Sequence, residues 1–295
     1  MPKRPEISQE MIRLYDEYTH LTYDRRDFMR RLTALAGSAS AAAAIAPLIA
    51  ADRAGAAMVA PDDERVKAER ITFEGADGTE MSGYLALPRG GGARTPTVMV
   101  IHENRGLNAH IEDVARRTAL AGFVALAPDF LSPAGGTPPD EDKARQMIGE
   151  LDAAATVANA VATVDYLKER PDGNGRVGAI GFCWGGGLVN QVAIHAGEDL
   201  SAGVAFYGRT PDSSEVGKIR AALLLHYAGL DERINAGLPA YEEALEKAGV
   251  AHEIHVYDGV NHAFHNDTSA ARYDEKAARL AWERTIAFLK EKLAG

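Results

Sequence analysis

Residues 181–187 read GFCWGGG, and Cys183 within them is the only cysteine of the chain. A lone cysteine is either inert packing or a reactive thiol, and only the thiolate is a nucleophile. The neighbours bear on that choice. The apolar run RVGAIGF precedes it and the helix-forming run LVNQVAIHA follows it. A sharp turn from strand to helix is the setting of the G-x-S-x-G nucleophile, here with sulfur in place of the hydroxyl. Gly181 and Gly185 stand where such a turn brings the chain too close to itself for a side chain. The sulfur is lifted above the sheet edge beside a helix N-terminus, whose dipoles favour an anion. A buried filler explains the cysteine alone; a nucleophile explains the strand, both glycines and the helix together.

A thiol with an ordinary pKa of about 8.5 is only a few per cent thiolate at neutral pH, so it needs a base, and the base needs an orienting acid. LLLHYAGLDERI places Asp231 just past the end of a strand, and YDGVNHAFHND places His262 in the loop after the last strand. Singly, an aspartate there is a helix cap and a loop histidine is a solvated side chain. Together they follow the nucleophile in the order acid, then histidine, at strand ends. Asp129, in APDF, is a rival acid but precedes the nucleophile and ranks second. His195, His226, His252, His255 and His265 lie within or beside predicted elements and are read as structural. The oxyanion donors would be the backbone N–H of Trp184, next to the nucleophile, and that of Asn104 in HENRGLN. Tyr207, ending SAGVAFYG, is a candidate substrate contact.

The elements that must position these residues begin near Arg65. RITFEGADGTEMSGYLALP reads as a hairpin around a DG turn, RGGGARTP as a flexible connection, and TPTVMVIHE as a strand buried on both faces. A helix ending at Gly122 leads to FVALAPDF. A long helical region from Glu141 to Lys168 leads to RVGAIGFC. Further strands (SAGVAFYG, AALLLHYAG, HEIHVYDG) alternate with helices, and a helix from Ala270 closes the chain. This order predicts an α/β fold: a mostly parallel sheet with an N-terminal antiparallel hairpin and helices on both faces, with its chemistry at the carboxyl ends of the strands. Residues 61–295 read as one domain and residues 1–60 as an extension.

HENRGL, PDF, GFCWGG, GLDERI and NHAF, in this order, resemble the dienelactone hydrolase (carboxymethylenebutenolidase) family of the α/β-hydrolase superfamily, over residues 65–293. The resemblance implies Cys183 as nucleophile, His262 as base and Asp231 as its partner. It also implies that Glu103 holds the resting thiol and helps to activate it; a salt bridge from Glu103 to Arg105 is the structural alternative. Two arginines that grip a substrate carboxylate in the family are replaced here by Leu131-Ser132-Pro133 and by His265 and Asn266. Arg105 is a candidate substitute. The implied reaction is hydrolysis of a small ester or lactone through an acyl-thioester. Thioesters, amides or polyester fragments are alternative substrates, and a non-catalytic thiol sensor or binding protein is the rival class.

A net charge of −10 gives no reason to expect nucleic acid, one cysteine forms no internal disulfide, and no zinc-spaced Cys/His cluster is evident. No metal or organic cofactor is implied. The extension contains DRRDFMRR, an uncharged alanine-rich stretch from Leu32 to Ala51 and an AGA site before Ala57, resembling a twin-arginine export signal and a periplasmic destination. The stretch is too poor in Leu, Ile and Phe for a stable membrane anchor. Ile7, Met11, Leu14, Tyr15, Tyr18 and Leu21 recur at helical spacing ahead of the arginines. That amphipathic helix would pack on the body or on a second subunit, the reading in which the arm stays uncleaved, as in a cytoplasmic protein.

Overall fold

The computed structural model describes residues 7–20, 24–50, 57–90 and 94–294. Its centre is an eight-stranded sheet in the order β1 (Val66–Glu74), β2 (Glu80–Pro88), β4 (Val124–Asp129), β3 (Thr95–Ile101), β5 (Gly173–Phe182), β6 (Leu200–Phe206), β7 (Ala222–Ala228) and β8 (His252–Tyr257). The β1–β2 hairpin turns at Asp77 and Gly78, both with positive φ, and β2 runs antiparallel to β4. Every other pairing is parallel. The order of elements predicts this mostly parallel sheet with its antiparallel hairpin, and the arrangement is the α/β-hydrolase fold that the motif resemblance implies.

The strands are continuously apolar because both faces are covered. In β3, Val98 and Val100 pack on one face, with Ile111 and Val114 of α4 (Ala109–Leu120) and Phe288 and Leu289 of α10 (Glu275–Lys292). Met99 and Ile101 point to the other face, toward Val164 of α6 (Ala153–Lys168), Val189 of α7 (Trp184–His195) and Leu245 of α9 (Leu238–Ala248).

Two element boundaries differ from the sequence reading. The long helical region is two helices, α5 (Glu141–Gly149) and α6, because the Asp152 side chain accepts from the Ala155 amide and starts a new helix. The last helix starts at Glu275 rather than Ala270, with Asp274 as its cap.

The extension folds as α1 (Gln9–His20), α2 (Arg25–Ala36) and α3 (Ala39–Ile49). Gly37, at φ 77°, ends α2 and Ser38 caps α3, so the two cross at 112°. Among the described residues no single helix is long and apolar enough to cross a membrane. Met11, Leu14, Tyr15 and Tyr18 of α1 pack with Phe28 and Leu32 of α2 and Ile45 and Ile49 of α3. The apolar face of α1 is therefore used within this chain. Arg25, first of the paired arginines, lies in the first turn of α2 and bonds Asp142 at 2.9 Å. The AGA site before Ala57, Leu21 and three residues (91–93) of the RGGGARTP connection lie outside the described residues.

The turn at Cys183 depends on backbone contact. A Cβ on Gly181 would lie 2.2 Å from the carbonyl oxygen of Gly185, whereas one on Gly217 would meet nothing within 4 Å. Gly181→Ala is expected to cost about 2 kcal/mol or more, and Gly217→Ala less than about 0.5 kcal/mol. Urea unfolding midpoints of the two variants check this, and equal midpoints would refute the close approach.

Candidate active site

Cys183 follows the last residue of β5 and precedes the first of α7. Its backbone sits at φ 54°, ψ −113°, a region costly for any residue but glycine, and neighbouring bonds hold it there. The Cys183 amide donates to the Phe206 carbonyl at 3.0 Å, and its carbonyl accepts from the Gly187 amide at 3.1 Å. A Cβ on Gly185 would lie 2.5 Å from the His102 carbonyl oxygen, so α7 starts in contact with the end of β3. The ring of His102, stacked on Trp184 at 5.2 Å, supports the other side of the turn.

Asp231 and His262 come together at the neighbouring strand ends. Asp231 does cap a helix: its Oδ1 accepts from the Ile234 amide at the start of α8 (Glu232–Asn235). Its Oδ2 meanwhile accepts from His262 Nδ1 at 2.5 Å, so one carboxylate is both cap and orienting acid. With Nδ1 donating, the neutral ring keeps its lone pair on Nε2. That atom is buried and has no hydrogen-bond partner among the described residues. It lies within 4.8 Å of Cys183 Sγ.

A second imidazole, unforeseen from the sequence, approaches the sulfur from the extension. His20, last residue of α1, places Nε2 2.9 Å from Sγ, and its ring meets that of His262 edge-on at 4.6 Å. The helical spacing upstream of the arginines pointed to a docked helix; no motif marked His20 as the residue that would reach the thiol. Burial alone would push the Cys183 thiol up, but the positive charge of His20 and then His262 outweighs it and brings the pKa down to about 6. Burial would lower His262, but the charges of Cys183 and Asp231 outweigh it and raise it to about 10. The His262 charge in turn holds Asp231 below its ordinary value, against its burial.

The other expected residues are arranged unevenly. Trp184 and Asn104 both line the cleft over the sulfur, and Trp184 opens α7, where a first-turn amide has no intrahelical acceptor. The Asn104 side chain donates to the Thr19 carbonyl of α1. Tyr207 lines the same cleft, its ring 4.8 Å from that of His262, with a buried hydroxyl unpartnered among the described residues. Burial first, then the charges of Glu103 and Cys183, raise its pKa well above the ordinary value.

Three expectations need correction. Glu103 does not hold the thiol: its Oε2 accepts from Asn266 Nδ2 at 2.7 Å, while the sulfur's bonded partner is His20. Arg105 is neither the partner of Glu103 nor turned to the cleft. It is buried, bonding Glu141 at 2.9 Å and the Tyr15 hydroxyl at 2.8 Å, because α1 lies across it. Asp129 is not a rival acid, since its carboxylate accepts from the Leu131 and Thr137 amides and from the Thr137 hydroxyl and so ties its own loop.

The cleft encloses about 910 Å³ and is walled by α1, α5 and the loops after β3, β6 and β7. His20, Cys183 and His262 offer donor types that would also suit a soft divalent ion. The same three atoms are the reacting atoms of thiol–imidazole chemistry.

A strained strand-to-helix turn, with acid and histidine following on later strands of this sheet, defines a hydrolase of the α/β-hydrolase class. Within it the chain belongs to the dienelactone hydrolase family, whose model matches residues 81–293. A putative carboxymethylenebutenolidase of Saccharolobus solfataricus is 32% identical over 260 residues, covering 75% of this chain and 98% of that protein. The crystal structure of a putative dienelactone hydrolase from Klebsiella pneumoniae superposes with a TM-score of 0.69 at 26% identity, covering 77% of this chain and 99% of that one. A dienelactone hydrolase-like promiscuous phosphotriesterase from metagenomic libraries superposes equally well, with a TM-score of 0.69 at 25% identity, covering 78% and 100%. The family match begins at residue 81, so α1–α3, and with them His20, lie outside it.

Because the Cys183 thiol is lowered to about 6, it is an anion above that pH and is quenched below it. Alkylation by iodoacetamide is expected to rise with pH to a plateau, half-maximal near pH 6. A midpoint at the ordinary value of about 8.5 would show that the imidazoles do not act on the thiol.

Proposed function

We propose that this chain is a cysteine-dependent hydrolase of small carboxylic esters or lactones that works through an acyl-thioester. The observation that carries the reading is the Asp231–His262 bond, which fixes the ring so that its buried Nε2 lies within 4.8 Å of the Cys183 sulfur. The thiolate adds to the carbonyl carbon, and the carbonyl electron pair moves to an oxygen held by the Trp184 and Asn104 amides. Collapse breaks the ester C–O bond. Water then loses a proton to His262 Nε2 and adds to the thioester, and the thiolate leaves.

The positions at which family arginines would grip a carboxylate are committed elsewhere. Ser132 Oγ donates to the Asp129 carbonyl, His265 stacks on Phe182 at 5.0 Å, and Asn266 holds Glu103. The reading therefore takes the reaction type from the family and leaves dienelactone aside as the substrate. Cationic side chains in the cleft wall, Arg209 and Arg233, come from the loop after β6 and from α8 instead.

Cys183→Ala is expected to lower turnover of p-nitrophenyl acetate by about 10³-fold or more, and Asp231→Asn by about 10²-fold or more. Acid-quenched intact mass of the wild type should show one acetyl group on Cys183. Full activity in Cys183→Ala would end this reading.

A further inference from the structure

We propose that His20, carried into the site by the N-terminal helix, is a catalytic base for the Cys183 thiol, and that the two imidazoles divide the reaction between its halves. The inference rests on Cys183 being the nucleophile. It assigns a role to a residue outside the family match.

The protonation pattern follows from what each ring faces. His20 Nδ1 lies 2.8 Å from the Asp16 carbonyl oxygen, which can only accept, so Nδ1 carries the hydrogen. In the neutral ring Nε2 then holds a lone pair, and it points at Sγ from 2.9 Å. His262 Nε2 also lies near the sulfur, within 4.8 Å and close enough to act on its charge, but without the directed 2.9 Å contact that His20 makes, and its Nδ1 is fixed by Asp231. One ring is in direct contact with the sulfur, and the other lines the cleft beside it. A general base must first be within hydrogen-bond reach of its proton, and for the thiol proton that ring is His20.

In the resting site the thiol proton has passed to His20 Nε2, which leaves the sulfur as thiolate. In acylation the C–S bond forms and the ester C–O bond breaks; the leaving oxygen takes the proton from His20 Nε2, or, where it departs as a stable anion, Nε2 gives that proton to water. In deacylation water gives a proton to His262 Nε2, the new C–O bond forms and the C–S bond breaks. The proton on the His262 imidazolium then returns to the sulfur–His20 pair, which restores the resting site.

The position of His20 does not depend on the sulfur alone. The Asn104 side chain and Arg145 donate to the carbonyls of Thr19 and Tyr18, Tyr18 bonds Asp142 at 2.6 Å, and Arg272 bonds Asp16 at 3.2 Å. Replacing His20 therefore leaves the helix docked, which unchanged thermal midpoints and circular dichroism should show.

The test is stopped-flow hydrolysis of p-nitrophenyl acetate by full-length wild type, His20→Ala and His20→Gln, where the burst reports acylation and the steady phase deacylation. Both variants are expected to acylate about 10²-fold or more slowly, with deacylation changed less than about twofold. Added imidazole should restore part of the burst rate in His20→Ala. Glutamine fills the space without a basic nitrogen, so a normal burst in His20→Gln, or no rescue of His20→Ala, would reduce His20 to packing and overturn the proposal. A faster burst in both variants would mean that His20 shields the thiol, and would overturn it equally. Cys183→Ala separates the two levels. Activity there defeats the thiol reading itself, whereas an inactive Cys183→Ala beside unaffected His20 variants defeats only this inference.

Discussion

The site depends on keeping a sulfur anion in a place that water scarcely reaches. Cys183 is 6% exposed, and burial on its own disfavours the charged form. What reverses this is charge brought close by other elements: His20 from one end of the fold and His262 from the other, with Asp231 behind it. The strained backbone at Cys183 belongs to the same constraint.

The sheet and the extension solve different parts of this problem. β5, β7 and β8 and their loops fix Cys183, Asp231 and His262 relative to one another through ladder hydrogen bonds that tolerate little movement. The extension is fixed by buried charge. Arg105 and Arg272 are both buried and both have their guanidinium over the ring of Tyr15, at 5.9 Å and 5.0 Å. Arg272 also pairs with Asp16. Removing one partner of such a buried pair is costly because the other charge stays behind without compensation. The helix is thus held where its last residue, His20, meets the sulfur.

The fold was legible because the signals are local. Apolar runs of strand length, helical periods and the DG turn each report their own element, and their alternation leaves few topologies. The nucleophile turn was legible because glycine spacing records backbone contact. Asp231 and His262 were legible from chain order at strand ends. What was not legible depends on long-range side-chain choice. Nothing near Glu103 states that Asn266 will take its carboxylate, and nothing near Arg105 states that α1 will cover it. The break between α5 and α6 was locally encoded, by Asp152 three residues before the amide it caps, but helical periodicity on both sides obscured it. His20 was hidden because the arginine pair and alanine run beside it carry a stronger message, that of a peptide to be discarded.

These two meanings of the extension make different demands on the molecule. A chain cut before Ala57 would lose Tyr15 and Asp16, leaving Arg105 without the Tyr15 hydroxyl and Arg272 without its acidic partner. It would also leave the thiol with His262 and without the 2.9 Å contact to His20. Met58 and Val59, just beyond that point, bond the buried Asp113 carboxylate, so the body holds the chain from there onward with or without the arm. The geometry around the sulfur, by contrast, includes the arm, through His20. On the proposed reading, the arm bears on how the Cys183 sulfur is charged, through His20, more than on how the sheet is built.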